Sequence, residues 1–140
     1  MPERLLLWVE DRKDLICSQR PKLRKIGFSV HWAFRPRTVL RALERYSVSV
    51  VFFDLVLLVA GKEIDWQKFF LRIRHKDPTV PIAAVTAYEE RYRDQIALAR
   101  FDRVYPKPIP SLLESEKEFN EFCADLESIP FLVGISSGLS

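Results

Sequence analysis

Four hydrophobic stretches of this sequence each end in residues that could carry out phosphoryl chemistry on a carboxylate. Glu10 and Asp11 follow the first stretch, and Asp54 follows the second. Thr86 follows the third and Lys107 the fourth. In an open parallel sheet the carboxyl ends of the strands share one edge, where ligands bind. We therefore expect these five side chains to form a single site.

These residue types suit phosphoryl transfer to an aspartate. A carboxylate can attack a phosphorus centre and form an acyl phosphate. The incoming group and the acids repel one another, so a hard divalent cation with oxygen ligands is needed between them. A lysine adds a second positive charge, and a threonine adds a hydroxyl group that can rotate. Transfer to Asp54 would then depend on positioning and electrostatics rather than on a general base.

Each of these residues also has a simpler interpretation when taken alone. Asp54 could start a loop, because Asp favours turns. Asp11 could cap the first helix and Thr86 the fourth. Lys107 could be an ordinary exposed loop lysine. The joint occurrence of all of them in this order favours the site.

The elements that must position these residues alternate between strand and helix. The first and third predicted strands are almost continuously apolar, as expected of a parallel sheet covered on both faces. The pattern predicts a doubly wound α/β domain with five parallel strands and five helices. The predicted strands cover about residues 4–9, 29–33, 48–53, 82–85 and 103–105, and the predicted helices cover about residues 12–25, 36–46, 65–74, 89–100 and 111–127. Pro21 should kink or delay the first helix.

Length and composition indicate one globular domain. The chain has 140 residues, of which 48% are hydrophobic and 29% charged. No stretch approaches the roughly 20 apolar residues that cross a bilayer, so we expect no membrane partner. Cys17 and Cys123 are predicted to be reduced thiols in the core of a cytoplasmic protein.

Charge is unevenly distributed along the chain. The net charge is +3, yet residues 1–50 hold 11 basic and 5 acidic groups, whereas residues 111–140 hold 1 and 6. A basic amino-terminal half could bind an acidic partner or nucleic acid. We favour solvated helix faces and expect no nucleic-acid partner, because no nucleic-acid motif accompanies the charge.

With these residues in place, the sequence resembles the receiver domain of two-component response regulators, the CheY-like family. The resemblance covers about residues 4–127 and lies in an acidic pair, a lone Asp, a Thr-Ala and a Lys-Pro at four successive strand ends. The four positions are separated by 43, 32 and 21 residues. The resemblance implies a flavodoxin-like fold with strand order 2-1-3-4-5.

The resemblance also implies a role for each site residue. Asp54 would be the phosphoacceptor, Thr86 would contact the phosphoryl group, and Lys107 would pair with that group. The Lys107–Pro108 peptide would be cis. The cation, Mg²⁺ or Mn²⁺, would be held by Glu10, Asp11, Asp54 and the backbone carbonyl of Val56.

The implied protein is a receiver domain over residues 1–128 with a short extension, 129–140, and no output domain. It would accept a phosphoryl group from a histidine kinase or a phosphotransfer protein. It would then bind a downstream protein through the face formed by the fourth helix, fifth strand and fifth helix. It would be a phosphoacceptor rather than an enzyme, with autophosphorylation and autodephosphorylation within its chemistry. Homodimerisation stays open.

Some positions depart from the family pattern. Leu58 replaces the usual proline after the acceptor, in a longer apolar loop, and Arg100-Phe101 replaces a small pair. Val104 replaces the switch aromatic, and Tyr105 should face the other side of the sheet because neighbours in a strand alternate. An alternative therefore stays open, namely a phosphorylation-independent pseudo-receiver that acts as a protein–protein interaction module.

A phosphatase on a related fold is disfavoured by the sequence. The chain has four glycines and no Gly-rich phosphate loop. A haloacid-dehalogenase-type enzyme would need a second Asp two residues after the nucleophile, where this chain has Val56.

Overall fold

The computed structural model describes residues 4–107 and 116–129. The strands are β1 (Arg4–Val9), β2 (Phe28–Ala33), β3 (Val50–Phe53), β4 (Leu58–Val59), β5 (Lys62–Glu63), β6 (Ile82–Thr86) and β7 (Arg103–Pro106). The helices are α1 (Lys13–Lys25), α2 (Pro36–Arg45), α3 (Trp66–Lys76), α4 (Arg93–Ala99) and α5 (Glu116–Glu127).

Five of the strands form one parallel sheet in the order β2-β1-β3-β6-β7. This is the predicted order 2-1-3-4-5, so the flavodoxin-like fold with five helices is confirmed. Every residue of β3 and β6 is buried, because helices cover both faces of the sheet. All five strands point the same way, and their carboxyl ends therefore meet at one edge.

An aromatic cluster fills one face of the sheet. Phe53 of β3 packs edge-on against Phe69 and Trp66 of α3, with ring centroids 5.5 and 6.4 Å apart. Phe101, which precedes β7, lies 4.8 Å from Phe70 and 5.8 Å from Trp66. The phenylalanine found in place of a small residue thus adds to the core between α3 and the sheet.

The opposite face holds a second core. Phe52 packs edge-on against Trp8 at 5.3 Å and lies 6.0 Å from Tyr105. The Tyr105 hydroxyl donates a hydrogen bond to Oδ2 of Asp125 in α5, at 2.5 Å. Val104 packs against the first cluster instead, so the prediction that Val104 and Tyr105 face opposite sides of the sheet is confirmed.

Two local predictions were wrong. One is the start of α4, and the other is the delay of α1 by Pro21: helix α1 begins at Lys13 and continues through the proline. The alternative effect of Pro21, a kink, stays a prediction. The fourth helix begins at Arg93 rather than near residue 89, because residues 89–92 form turns. Its last residue is followed by Arg100 in the left-handed conformation, with φ 58°. The predicted start of the fifth helix lies outside the described residues.

The prediction of two cysteines in the core was right for Cys123 and wrong for Cys17. Both thiols are free, but Cys17 is exposed rather than in the core, whereas Cys123 packs against the second cluster. No helix in the described ranges is long and apolar enough to cross a membrane.

The segment after Asp54 contains a small hairpin. Strands β4 and β5 pair in antiparallel fashion, and the two residues between them, Ala60 and Gly61, have φ of 54° and 77°. Positive φ at both positions is what a two-residue type I′ turn requires. The sequence pattern predicts a longer apolar loop here and does not indicate the hairpin.

Candidate functional site

Three carboxylates meet at the carboxyl edge of the sheet. Glu10 and Asp11 follow β1, and Asp54 follows β3, the strand next to it. Each offers one carboxylate oxygen, and these three oxygens lie within 4.8 Å of one another. The backbone fixes this arrangement, because the Asp54 amide donates to the Val9 carbonyl at 3.1 Å across the two strands.

Lys107 reaches this acidic cluster from the end of β7. Its Nζ lies 3.0 Å from Oδ2 of Asp54 and 2.5 Å from Oε1 of Glu10. The lysine side chain is only 13% exposed. It is therefore not the freely exposed loop lysine of the simpler interpretation.

Burial makes Glu10 and Asp54 costly to ionise. It raises the pKa of Glu10 to about 7, helped by the charge of Asp54 and opposed by Lys107. Burial also raises the pKa of Asp54, again against Lys107. Although burial alone lowers the pKa of Lys107, the charges of Asp54 and Glu10 outweigh it and raise that pKa. The three carboxylates of the cluster outnumber the lysine that pairs with them.

Backbone amides orient all three carboxylates. Oε2 of Glu10 accepts from the Arg12 amide at 3.0 Å, and Oδ1 of Asp54 accepts from the Val56 amide at 3.2 Å. Oδ2 of Asp11 accepts from the Leu58 amide at 3.1 Å. Asp11 therefore does not cap α1, whose capping residue is Arg12 and lacks a side-chain capping bond.

Glu10 is held from the edge strand as well. The indole Nε1 of Trp32 in β2 donates to the Glu10 carbonyl at 2.5 Å. Sequence reasoning missed this contact. Trp32 pairs with Trp8 in the register of β2 with β1, and Trp8 lies two residues before Glu10. The pairing of the two strands therefore brings the indole to the Glu10 carbonyl.

Thr86 ends β6 beside this site. It is buried, and its Oγ1 accepts from the Tyr88 amide at 2.9 Å. Because α4 begins at Arg93, Thr86 does not cap that helix. Thr86 and Lys107 share the lining of a cavity of about 360 Å³.

A larger cavity of about 510 Å³ opens over the carboxylates. Its rim is partly apolar: Leu58 and Tyr88 are about half exposed there. Val56, whose backbone carbonyl is a predicted cation ligand, also lines the cavity. The role of that carbonyl as a ligand stays a prediction. The cavity is lined by Asp11, Arg12, Leu15, Asp54, Val56, Leu58, Ala87, Tyr88 and Lys107.

The donor set fits a hard divalent cation. Three carboxylate oxygens close together suit Mg²⁺ or Mn²⁺, which prefer oxygen ligands and retain bound waters. The surplus of carboxylates over the pairing lysine also favours the binding of a cation. The predicted cis Lys107–Pro108 peptide lies outside the described residues.

Comparisons with known proteins agree with this fold. No family model and no curated protein matches the sequence. Solved structures do match. A two-component response regulator from Clostridium difficile is 18% identical, with a TM-score of 0.72 over 91% of this chain and 95% of its own.

Two further matching structures contain a magnesium ion. One is the receiver domain of a sensor histidine kinase from Pseudomonas aeruginosa PAO1, with a magnesium ion coordinated in the active site cleft; it is 22% identical, with a TM-score of 0.66 over 87% of this chain and 98% of its own. The other is the response regulator TrrA from Thermotoga maritima in complex with Mg²⁺–BeF, 20% identical, with a TM-score of 0.63 over 83% of this chain and 98% of its own. The strand order and these similarities together give this chain the fold of the CheY-like response regulator receiver domains.

Proposed function

We propose that this protein is a receiver that accepts a phosphoryl group on Asp54 from a phosphohistidine donor, in the presence of Mg²⁺. The observation that carries the proposal is the approach of Lys107 to both Asp54 and Glu10 at the edge where three carboxylate oxygens cluster. The site residues, the domain bounds 1–128 and the kinase or phosphotransfer partner all belong to this proposal.

In the transfer step, an Asp54 carboxylate oxygen attacks phosphorus and the phosphorus–nitrogen bond to the donor imidazole breaks. The imidazole nitrogen keeps the bond pair and takes up a proton from solvent. Glu10 and Asp11, together with Asp54, would hold the cation, which supplies charge neutralisation for the phosphoryl oxygens when bound. Lys107 leaves its ion pair with Asp54 and pairs with the incoming group, while Thr86 turns its hydroxyl towards it.

The test is phosphorylation by a small phosphodonor such as acetyl phosphate with MgCl₂, read by intact mass. We expect an adduct of ~80 Da on the wild type, lost on Asp54→Asn and on chelation of the cation. Asp14→Asn is the matched control, because Asp14 is exposed and its carboxylate pairs with Arg12 outside the acidic cluster. Retention of the adduct on Asp54→Asn would contradict the assignment.

One observation favours a second candidate, the pseudo-receiver. Tyr105, the aromatic residue nearest to the usual switch position, is buried and bonded to Asp125 of α5 rather than free to move beside Thr86. A module of this kind would bind its partner equally well with and without phosphodonor. Failure of the wild type to acquire the adduct, together with unchanged partner binding, would support it.

A further inference from the structure

The β4–β5 hairpin lies between the proposed acceptor and α3. It starts four residues after Asp54 and is closed by a hydrogen bond from the Ile64 amide to the Leu57 carbonyl at 3.0 Å. Leu57 is completely buried and Ile64 packs against the first core cluster, so the base of the hairpin is fixed. Its strands, by contrast, lie at the surface.

One side of the hairpin contacts the acidic cluster. The pair Leu58 and Glu63 alternates with the hydrogen-bonded pair formed by Leu57 and Ile64. In an antiparallel ladder, residues of such an alternate pair direct their amides away from the partner strand. The Leu58 amide is accordingly free to donate to Oδ2 of Asp11, at 3.1 Å.

The other strand of the hairpin contacts the start of α4. The Tyr92 hydroxyl donates to Oε1 of Glu63 at 3.3 Å. Tyr92 is the residue before α4, and its carbonyl accepts from the Ile96 amide at 2.8 Å. Its ring packs edge-on against Trp66 of α3, with centroids 6.2 Å apart. The hydrogen bond between Tyr92 and Glu63 therefore constrains the position of the first turn of α4.

We propose that the β4–β5 hairpin couples the cation site to the first turn of α4, with Tyr92 as a remote positioning residue for Asp11. The inference rests on the proposed function only in taking Asp11 as a cation ligand. A carboxylate that engages a cation changes the position of its oxygen, and the Leu58 amide follows it. The paired strands transfer that shift to Glu63 and hence to Tyr92.

The coupling must work in both directions. If cation binding changes the freedom of Tyr92, then removal of the Tyr92 hydroxyl must change cation affinity by the same free energy. This route differs from one through β7, since Tyr105 is held by Asp125 on the other face of the sheet.

The experiment combines Mg²⁺ titration by calorimetry with hydrogen exchange by mass spectrometry on the full chain. In the wild type we expect Mg²⁺ to slow exchange in residues 57–64 and in residues 92–96. In Tyr92→Phe we expect protection to persist in residues 57–64 and to be lost in residues 92–96, with Mg²⁺ affinity reduced about two- to fivefold. Glu63→Ala, which removes the acceptor of the Tyr92 hydroxyl, should behave in the same way.

Two variants serve as controls for the coupling. Tyr46→Phe removes a hydroxyl from an exposed tyrosine whose ring packs against His31. Glu121→Ala removes the same carboxylate as Glu63→Ala from an exposed position in α5. Both should retain the wild-type affinity and both protected segments. Leu58→Pro removes the amide that donates to Asp11 and leaves the hydrogen bonds between β4 and β5 in place. This variant should bind Mg²⁺ more weakly, and Mg²⁺ should no longer protect residues 92–96.

Three results would overturn the coupling. Protection of residues 92–96 by Mg²⁺ in Tyr92→Phe would show that the signal takes another route. Unchanged Mg²⁺ affinity in both Tyr92→Phe and Glu63→Ala would show that the hairpin and the cation site are not energetically coupled. Formation of the adduct on Asp54 would then still support the proposed function. Absence of Mg²⁺ binding by the wild type would reject the cation site and the coupling together.

Discussion

The ammonium group of Lys107 lies 2.5 Å from Oε1 of Glu10, a carboxylate with no exposed surface. The two residues lie far apart in the sequence and meet because β1 and β7 belong to one parallel sheet. Burial of a charged pair leaves each partner dependent on the other. Removing one of them leaves an uncompensated charge in a medium that solvates it poorly.

Replacement of Lys107 should therefore destabilise the metal-free protein. We expect Lys107→Met to lower the free energy of unfolding by about 3 kcal/mol at pH 8, because Glu10 and Asp54 then repel each other without compensation. Added Mg²⁺ should restore part of the loss. Urea denaturation followed by circular dichroism measures both effects. Lys62→Met, an exposed lysine of β5, is the control and should change little.

The raised pKa of Glu10 predicts how stability varies with pH. Between its ordinary value of 4.5 and the folded value of about 7, the folded state binds more protons than the unfolded state. The contribution of Glu10 to stability is therefore present below pH 4.5 and is lost as pH rises to about 7. The buried Asp54, whose pKa is also raised, acts in the same direction.

Thermal unfolding of the metal-free protein from pH 4.5 to 8 checks this sign. Relative to Glu10→Gln, the wild type should lose stability steadily across that window. Stabilisation by Mg²⁺ should grow over the same range, since the cation competes with the proton. A constant difference between wild type and Glu10→Gln at all pH values would contradict the assignment of this titration to Glu10.

The turn of the β4–β5 hairpin predicts two opposite effects. Ala60 occupies a left-handed conformation that favours Asn or Gly, so Ala60→Asn should stabilise the protein by about 0.5 kcal/mol. Gly61→Ala should destabilise it by about 1 kcal/mol. Among the described residues other than Gly61 and its two chain neighbours, no atom lies within 4 Å of a Cβ added at Gly61, so that cost comes from the backbone conformation. Chemical denaturation of the two variants provides the measurement.

The hydrogen bond between Tyr105 and Asp125 allows a structural role of Tyr105 to be distinguished from a switching role by substitution. Tyr105→Phe deletes a hydrogen bond to a charged acceptor and should cost about 1.5 kcal/mol of stability. The extent and rate of adduct formation on Asp54 should be unchanged, because the hydroxyl points to α5 rather than to the site. A large change in phosphorylation rate with unchanged stability would instead support a switching role for this tyrosine.

The sequence predicted the sheet well because its central strands β3 and β6 are buried on both faces. Runs such as residues 50–53 and 82–86 have few alternatives in a chain of this size, and the chemistry-bearing residues at their ends follow from strand direction alone. The convergence of Glu10, Asp54 and Lys107 is a consequence of that topology. It did not require knowledge of any side-chain contact.

Features set by the packing of elements far apart in sequence were not predictable in this way. Nothing near Trp32 indicates that its indole donates to the carbonyl of Glu10, since that contact depends on the register of β1 with β2. The hairpin had a weak local signal in the pair Ala60 and Gly61. That signal was missed because alanine is an unusual residue for a positive φ.

The indole of Trp32 gives this protein a built-in optical probe. Its hydrogen bond ends on the main chain of a residue proposed to hold the cation, whereas the rings of Trp8 and Trp66 lie within the two cores. Any movement of Glu10 should alter the polarity around Trp32 and shift its emission. Ligand arrival at the acidic edge could then be followed by intrinsic fluorescence in real time, without a label.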